Sequence, residues 1–160
     1  MNDSPAQSTI LCDLLVNIDV DDLSRAIAFY TSAFDLRVGR RFGAGAVELL
    51  GAKVAMYLLV KGVEEAPFEG ATAARSYRRH WTPVHLDFVV ENLDRALQQA
   101  EAAGALREGA VLEHDWGKLA LLSDPWGHGF CLLQLTGRGY DALVTGVGGA
   151  GEPPTGAAVG

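Results

Sequence analysis

The chain repeats itself. Setting residues 16–37 against 86–107, an offset of 70, pairs Val20 with Val90, Leu23 with Leu93, Arg25 with Arg95 and Ala26 with Ala96. It also pairs Ala33 with Ala103, Leu36 with Leu106 and Arg37 with Arg107. Between these identities Ile18 answers Phe88, Ile27 answers Leu97 and Asp22 answers Asn92. Scattered identities arise by chance; the same change of periodicity, made twice, is harder to obtain that way. Val16, Ile18 and Val20 alternate with Asn17 and Asp19, which is the period of a strand with one apolar face. Asp21 or Asp22 then caps a helix whose apolar stripe is Leu23, Ala26, Ile27 and Tyr30. The second copy has Leu86, Phe88 and Val90, a cap at Asn92, the stripe Leu93, Ala96, Leu97 and Ala100, and Gly104 as a helix stop.

Short extended segments follow each helix, over 36–42, 47–50 and 54–60 in the first copy and 110–114, 118–123 and 130–135 in the second. Gly51, Gly117, Pro125, Gly127 and Gly129 punctuate them as turns. The spacing predicts an α+β protein of paired βαβββ modules, 9–62 and 82–136, in one domain spanning 9–136. Residues 63–81 are a connector, with Pro67, Gly70 and an Ala/Arg-rich stretch, whose length suits an ordered arm or a flexible link. Residues 137–160 hold eight glycines and read as a Gly-rich C-terminal tail, with 140–144 packed first and disorder expected beyond Gly146.

Composition narrows the partners. Thirteen basic against 20 acidic residues give a formal charge of −7, so no nucleic-acid partner is expected. Arg75, Arg78, Arg79 and His80 form a local basic cluster that reads as a solvated connector, with an anion clamp or a subunit contact as alternatives. Cys12 and Cys131 are too few for a disulfide scaffold and read as free thiols of a reducing compartment. Residues 1–7 lack the apolar core of a signal peptide, and runs such as 54–60 are far short of a membrane span. The expectation is a cytoplasmic chain with no membrane partner.

Two segments carry a family likeness. Val20-Asp21-Asp22-Leu23-Ser24-Arg25-Ala26-Ile27-Ala28-Phe29-Tyr30 resembles the opening strand and helix of the vicinal oxygen chelate superfamily. Ser123-Asp124-Pro125-Trp126-Gly127-His128 resembles its Asp-Pro-x-Gly turn before the last strand. This is the glyoxalase, bleomycin-resistance and extradiol-dioxygenase group, and the likeness covers about residues 10–136. It implies curved mixed sheets around an open cavity, and a homodimer. It also implies metal ligands on first and last strands, which fall here at Leu15, His85, Cys131 and Ala55 or Met56. Only His85 matches the family's ligand type, and Cys131 stands where a carboxylate is expected. Asn17, Asp19, Glu48, Asp87 and His128 are the neighbours that could compensate.

Alternation along the first strand of each module puts Leu15, Asn17 and Asp19, and His85, Asp87 and Val89, on the cavity side. His85 is the candidate base, or a ligand for an anion, with Asp87 orienting it; the alternative is a histidine satisfied locally. Asn17, Asp19, Tyr57, Trp126, His128 and Cys131 are the candidate ligand-binding residues, with a structural role open for each. No metal and no cofactor are expected. Two functions follow from this reading: metal-independent binding or sequestration of a small molecule, or a lyase or isomerase with His85 as general base.

Overall fold

The computed structural model describes residues 13–145. The first module is β1 (Leu15–Val20), α1 (Leu23–Phe34), β2 (Arg37–Phe42), β3 (Ala46–Leu50) and β4 (Ala55–Val60). The second is β5 (Leu86–Val89), α2 (Leu93–Ala103), β6 (Leu106–Arg107), β7 (Leu112–His114), β8 (Gly117–Ser123) and β9 (Gly129–Leu135). Each module closes its sheet by pairing its first strand parallel to its last, β1 to β4 and β5 to β9. The resulting orders are β1-β4-β3-β2 and β5-β9-β8-β6, with β7 also on β8. This is the expected α+β class: two βαβββ units with curved mixed sheets.

The repeat in sequence is a repeat in capping. Asp22 accepts the Arg25 N–H at 2.9 Å and Asn92 accepts the Arg95 N–H at 2.9 Å. Each such cap is worth about 1 kcal/mol. Both helices end in a left-handed residue, Asp35 and Gly104. The helices lie together in one layer, where Gln99 donates to the Ser32 carbonyl and to Asp35. Ile18, Val20, Phe29, Leu49, Leu58, Leu93, Leu122 and Leu132 form a continuous core between the helices and both sheets.

Contacts across the modules are specific. The Phe34 ring stacks on Phe88 at 3.9 Å. Tyr30 of α1 donates to Asp124 at 2.5 Å, and the Trp126 indole donates to Asp21 at 2.7 Å. Asp124 also accepts the N–H groups of Trp126 and His128, so the Asp-Pro-Trp-Gly turn is tied by its own carboxylate.

The second module differs from the pattern read in sequence. The expected strand at 110–114 is shortened to β7, and a two-residue strand, β6, precedes it. Pairing that ends at Arg107↔Leu122 resumes at Leu112↔Leu119, so five steps on one strand answer three on the other. The excess falls at Gly109, whose φ is +88°, and beside Glu108, which Arg79 and the Trp81 indole draw toward the connector. The connector is ordered by such pairs. Arg75 bonds Asp19 at 2.6 Å, Tyr77 bonds the Lys61 carbonyl, and His80 forms a bridge with His128. No helix among the described residues is long and apolar enough to cross a membrane. The disorder expected beyond Gly146, like Cys12, lies outside the described residues.

Candidate metal centre

Strand phase decides which side chains reach the helix-free face of each sheet. Leu86, Phe88 and Val90 pack into the helix-side core, so His85, Asp87 and Val89 face the other way. Phe130 and Leu132 of β9 likewise face the helices. Cys131 and Leu133 therefore join Trp116 and Leu119 in a second, smaller buried cluster, with Leu121 packed against it. Parallel pairing sets Asp87 directly across from Cys131.

Three donors meet there. His85 Nε2 lies 3.2 Å from Asp87 Oδ1, and one donor atom from each of His85, Asp87 and Cys131 lies within 4.8 Å of the others. His85 and Asp87 are partly exposed; the Cys131 thiol is buried. Burial first, then the Asp87 charge, pushes the thiol up to about 12. Trp81 meets the His85 ring edge-on at 5.5 Å and Arg79 covers Trp81, so the imidazole stands beside a fixed aromatic wall.

The donor set fits a divalent metal. A tetrahedral ion with donors at about 2.0–2.3 Å holds them roughly 3–4 Å apart, the spacing these side chains already approach. Nitrogen, carboxylate oxygen and sulfur together suit a borderline ion such as zinc better than magnesium or calcium. The convergence of His85, Asp87 and Cys131 argues against the metal-independent function expected from the sequence. Matching ligand positions one residue at a time leaves out the sheet register that brings Asp87 to Cys131.

The remaining candidates fall into two groups. Asn17, Asp19 and Tyr57 share the helix-free face of the first sheet, with Asn17 directly beside Tyr57. Asp19 is held by Arg75 and Tyr57 by Arg40. Arg40 also grips Glu48 through Nε and a terminal nitrogen, which holds the Glu48 carboxyl down to about 2. Among the described residues, the hydrogen bonds and ion pairs of Asp19 and Tyr57 run to Arg75, Arg40 and Glu48 and not to the triad. Trp126 and His128 lie elsewhere. Trp126 is buried among the helix-side residues, stacked on Tyr30. His128 is clasped between the Asp19 carbonyl at 3.0 Å and His80 at 3.1 Å.

An open cleft of about 920 Å³ between the modules is lined by Val16, Met56, Leu86, Phe88 and Leu132, all helix-side residues, and meets the triad at Asp87 alone. A larger one, about 1130 Å³, lies between α1, α2 and the connector and touches none of the triad. Sequence reading gave no role to Arg40, which holds Glu48 and Tyr57, and none to the Tyr140 ring near the triad's face. Tyr140 rests on Trp116, and burial, then the Asp87 and Cys131 charges, raise its phenol above the ordinary range. The one sequence signal for it was the aromatic residue closing Thr136-Gly137-Arg138-Gly139-Tyr140 just after the last strand.

The architecture recurs in solved structures. A glyoxalase-related enzyme from Fulvimarina pelagi is 16% identical over 78% of this chain and 88% of its own, with a TM-score of 0.60. The fosfomycin resistance protein FosX from Listeria monocytogenes is 17% identical over 80% and 96%, with a TM-score of 0.60. A glyoxalase/bleomycin resistance protein/dioxygenase family enzyme from Burkholderia phytofirmans is 22% identical over 78% and 100%, with a TM-score of 0.59. At these identities the likeness is one of fold. No protein of curated function matches the chain. The profile of the glyoxalase-like domain matches residues 15–133, which takes in both modules and all three donors, and the chain belongs to that family.

Proposed function

We propose that the chain is a metal-dependent enzyme acting on a small, oxygen-bearing substrate, with the metal held by His85, Asp87 and Cys131. The observation that carries this is the convergence of the three donors on one face of the second sheet. Three protein donors with a free fourth position are the pattern of catalytic rather than structural zinc sites. Bound there, the ion supplies Lewis-acid polarisation of a substrate oxygen. The chain's own residues do the rest. Asp87 also borders the open cleft between the modules, whose lining is mostly apolar. Trp81 fixes the His85 ring from the side. One FosX structure was solved with Mn(II) and a dihydroxypropylphosphonic acid. That supports a metal in this fold, while the thiol of Cys131 favours a softer ion in this chain.

The reading includes a homodimer in the cytoplasm. Strands β1 and β5 each leave one edge unpaired within their sheets, and Leu14, Leu15, Val84 and Val89 stand exposed near them. A second copy over these edges would set the polar face of Asn17, Asp19 and Tyr57 to work as ligand-contacting surface. Cys131 is a free thiol, in keeping with a reducing compartment.

Calorimetric titration of the metal-free chain with Zn(II) tests the proposal. One ion per chain is expected, with the affinity lowered about 100-fold or more in His85→Ala and Asp87→Asn. Equal zinc affinity in wild type and both variants would place the metal elsewhere.

A further inference from the structure

We propose that His80 and His128 share one proton and form a pH-dependent latch, which holds the connector against the turn before β9. His80 Nε2 lies 3.1 Å from His128 Nδ1. The other nitrogen of each ring is already committed. His80 Nδ1 stands 2.7 Å from the Arg78 carbonyl, and His128 Nε2 stands 3.0 Å from the Asp19 carbonyl. A carbonyl oxygen only accepts, so each of these nitrogens carries a proton. A neutral imidazole has one N–H, and here it is spent on the backbone. Two neutral rings therefore turn bare lone pairs on each other across the gap. Two imidazolium rings turn two N–H groups on each other. One added proton, and only one, makes the contact a hydrogen bond.

The pair sits where the connector lies on the turn. His80 and His128 form a bridge, and the Gly127 carbonyl accepts the His80 N–H at 2.9 Å. A Cβ at Gly127 would come within 2.5 Å of the Arg78 carbonyl oxygen, and one at Gly129 within 2.6 Å of the Trp81 ring, so connector and turn touch along their backbones. The charged and titratable groups around the rings have partners of their own. On β1 and just after it, Asp19 is bonded by Arg75 and Asp21 by the Trp126 indole. In the turn, Asp124 takes the Tyr30 hydroxyl and the His128 N–H. On the connector, Arg79 pairs with Glu108, and the Tyr77 ring, edge-on to His128 at 6.1 Å, donates its hydroxyl to the Lys61 carbonyl. Both rings are half-buried, so the shared proton exchanges with solvent. Trp81, next to His80, meets the His85 ring at 5.5 Å. Opening the latch loosens that aromatic wall, a consequence that rests on the triad being the functional centre; the latch itself does not.

Exchange of the residue-80 backbone N–H, corrected for the intrinsic rate at each pH, reads the latch in metal-free, full-length protein from about pH 4.5 to about pH 9. Protection should pass through a maximum and fall at least about fivefold on both sides, as the pair loses its proton or gains a second. His80→Gln puts an amide N–H near the place of Nε2, where it donates to His128 Nδ1 with no added proton, so its protection should hold on the alkaline side. Protection that varies in one direction only in wild type, or an alkaline fall as large in His80→Gln, overturns the latch. Ring ¹⁵N shifts of the wild-type protein give a second readout that needs no variant. At the pH of greatest protection the two facing nitrogens should together show one proton; two bare nitrogens there overturn the proposal. Neither readout uses a metal, so the latch and the triad's zinc binding fail separately.

Discussion

Replacing Tyr30 by Phe removes one hydroxyl at the junction of the modules. Tyr30 reaches from α1 to Asp124 of the second module, and both side chains are almost fully buried. Burial, then the Asp124 carboxylate, holds the Tyr30 phenol well above its ordinary range, so the hydroxyl stays a donor across working pH. A hydrogen bond to a charged group contributes about 1.5–3 kcal/mol. Asp124 Oδ1 keeps its bonds from the Trp126 and His128 N–H groups, so the charge stays partly held while Oδ2 gives up its Tyr30 partner. That places the loss near the middle of the range, about 2 kcal/mol. For a chain of this size the change lowers Tm by about 4–8 °C. The assay is urea unfolding, with the midpoint falling and the slope unchanged. A loss under about 0.5 kcal/mol would refute the argument that this bond ties the modules.

Two further outcomes follow from single contacts. Glu48→Gln should flatten the acid limb of stability. The folded carboxyl lies near 2 against an ordinary 4.5, so its contribution is complete above about 4.5 and is lost as pH falls toward 2. Urea midpoints at a series of pH values check this, and parallel wild-type and variant curves would contradict it. Gly127→Ala should cost at least about 1–3 kcal/mol, because φ is +79° and the added Cβ would come within 2.5 Å of the Arg78 carbonyl oxygen. Thermal melts measure the loss, and faster exchange of the His80 N–H, now bonded to the Gly127 carbonyl at 2.9 Å, locates it at the connector.

The fold was legible because its signals are local and doubled. Val16, Ile18 and Val20 and their partners Leu86, Phe88 and Val90 carry strand phase in their own alternation, and Asp22 and Asn92 carry the helix starts. Phase alone also put His85, Asp87 and Cys131 on one face. Their convergence was not legible, because it depends on the parallel register of β5 and β9, which pairs Asp87 with Cys131 across 44 positions of chain. The same holds for Trp126 and His128. Their motif marks a turn, but the partners that hold them, Tyr30, Asp21 and His80, come from distant segments. Tyr140 begins the 140–144 segment expected to pack first, but its partner, Trp116, comes from the turn before β8 and was not legible.

The central claim is that His85, Asp87 and Cys131 bind one metal ion together. Cobalt(II) tests it directly, because it replaces zinc in such sites and its absorption reports both geometry and sulfur ligation. Wild-type protein should bind one Co(II) per chain, with a thiolate-to-metal charge-transfer band and the intense visible bands of four-coordinate cobalt. Cys131→Ser should lose the charge-transfer band, and His85→Ala the visible bands. Cobalt bound with no sulfur signature in wild-type protein, or an unaltered spectrum in Cys131→Ser, would contradict the account.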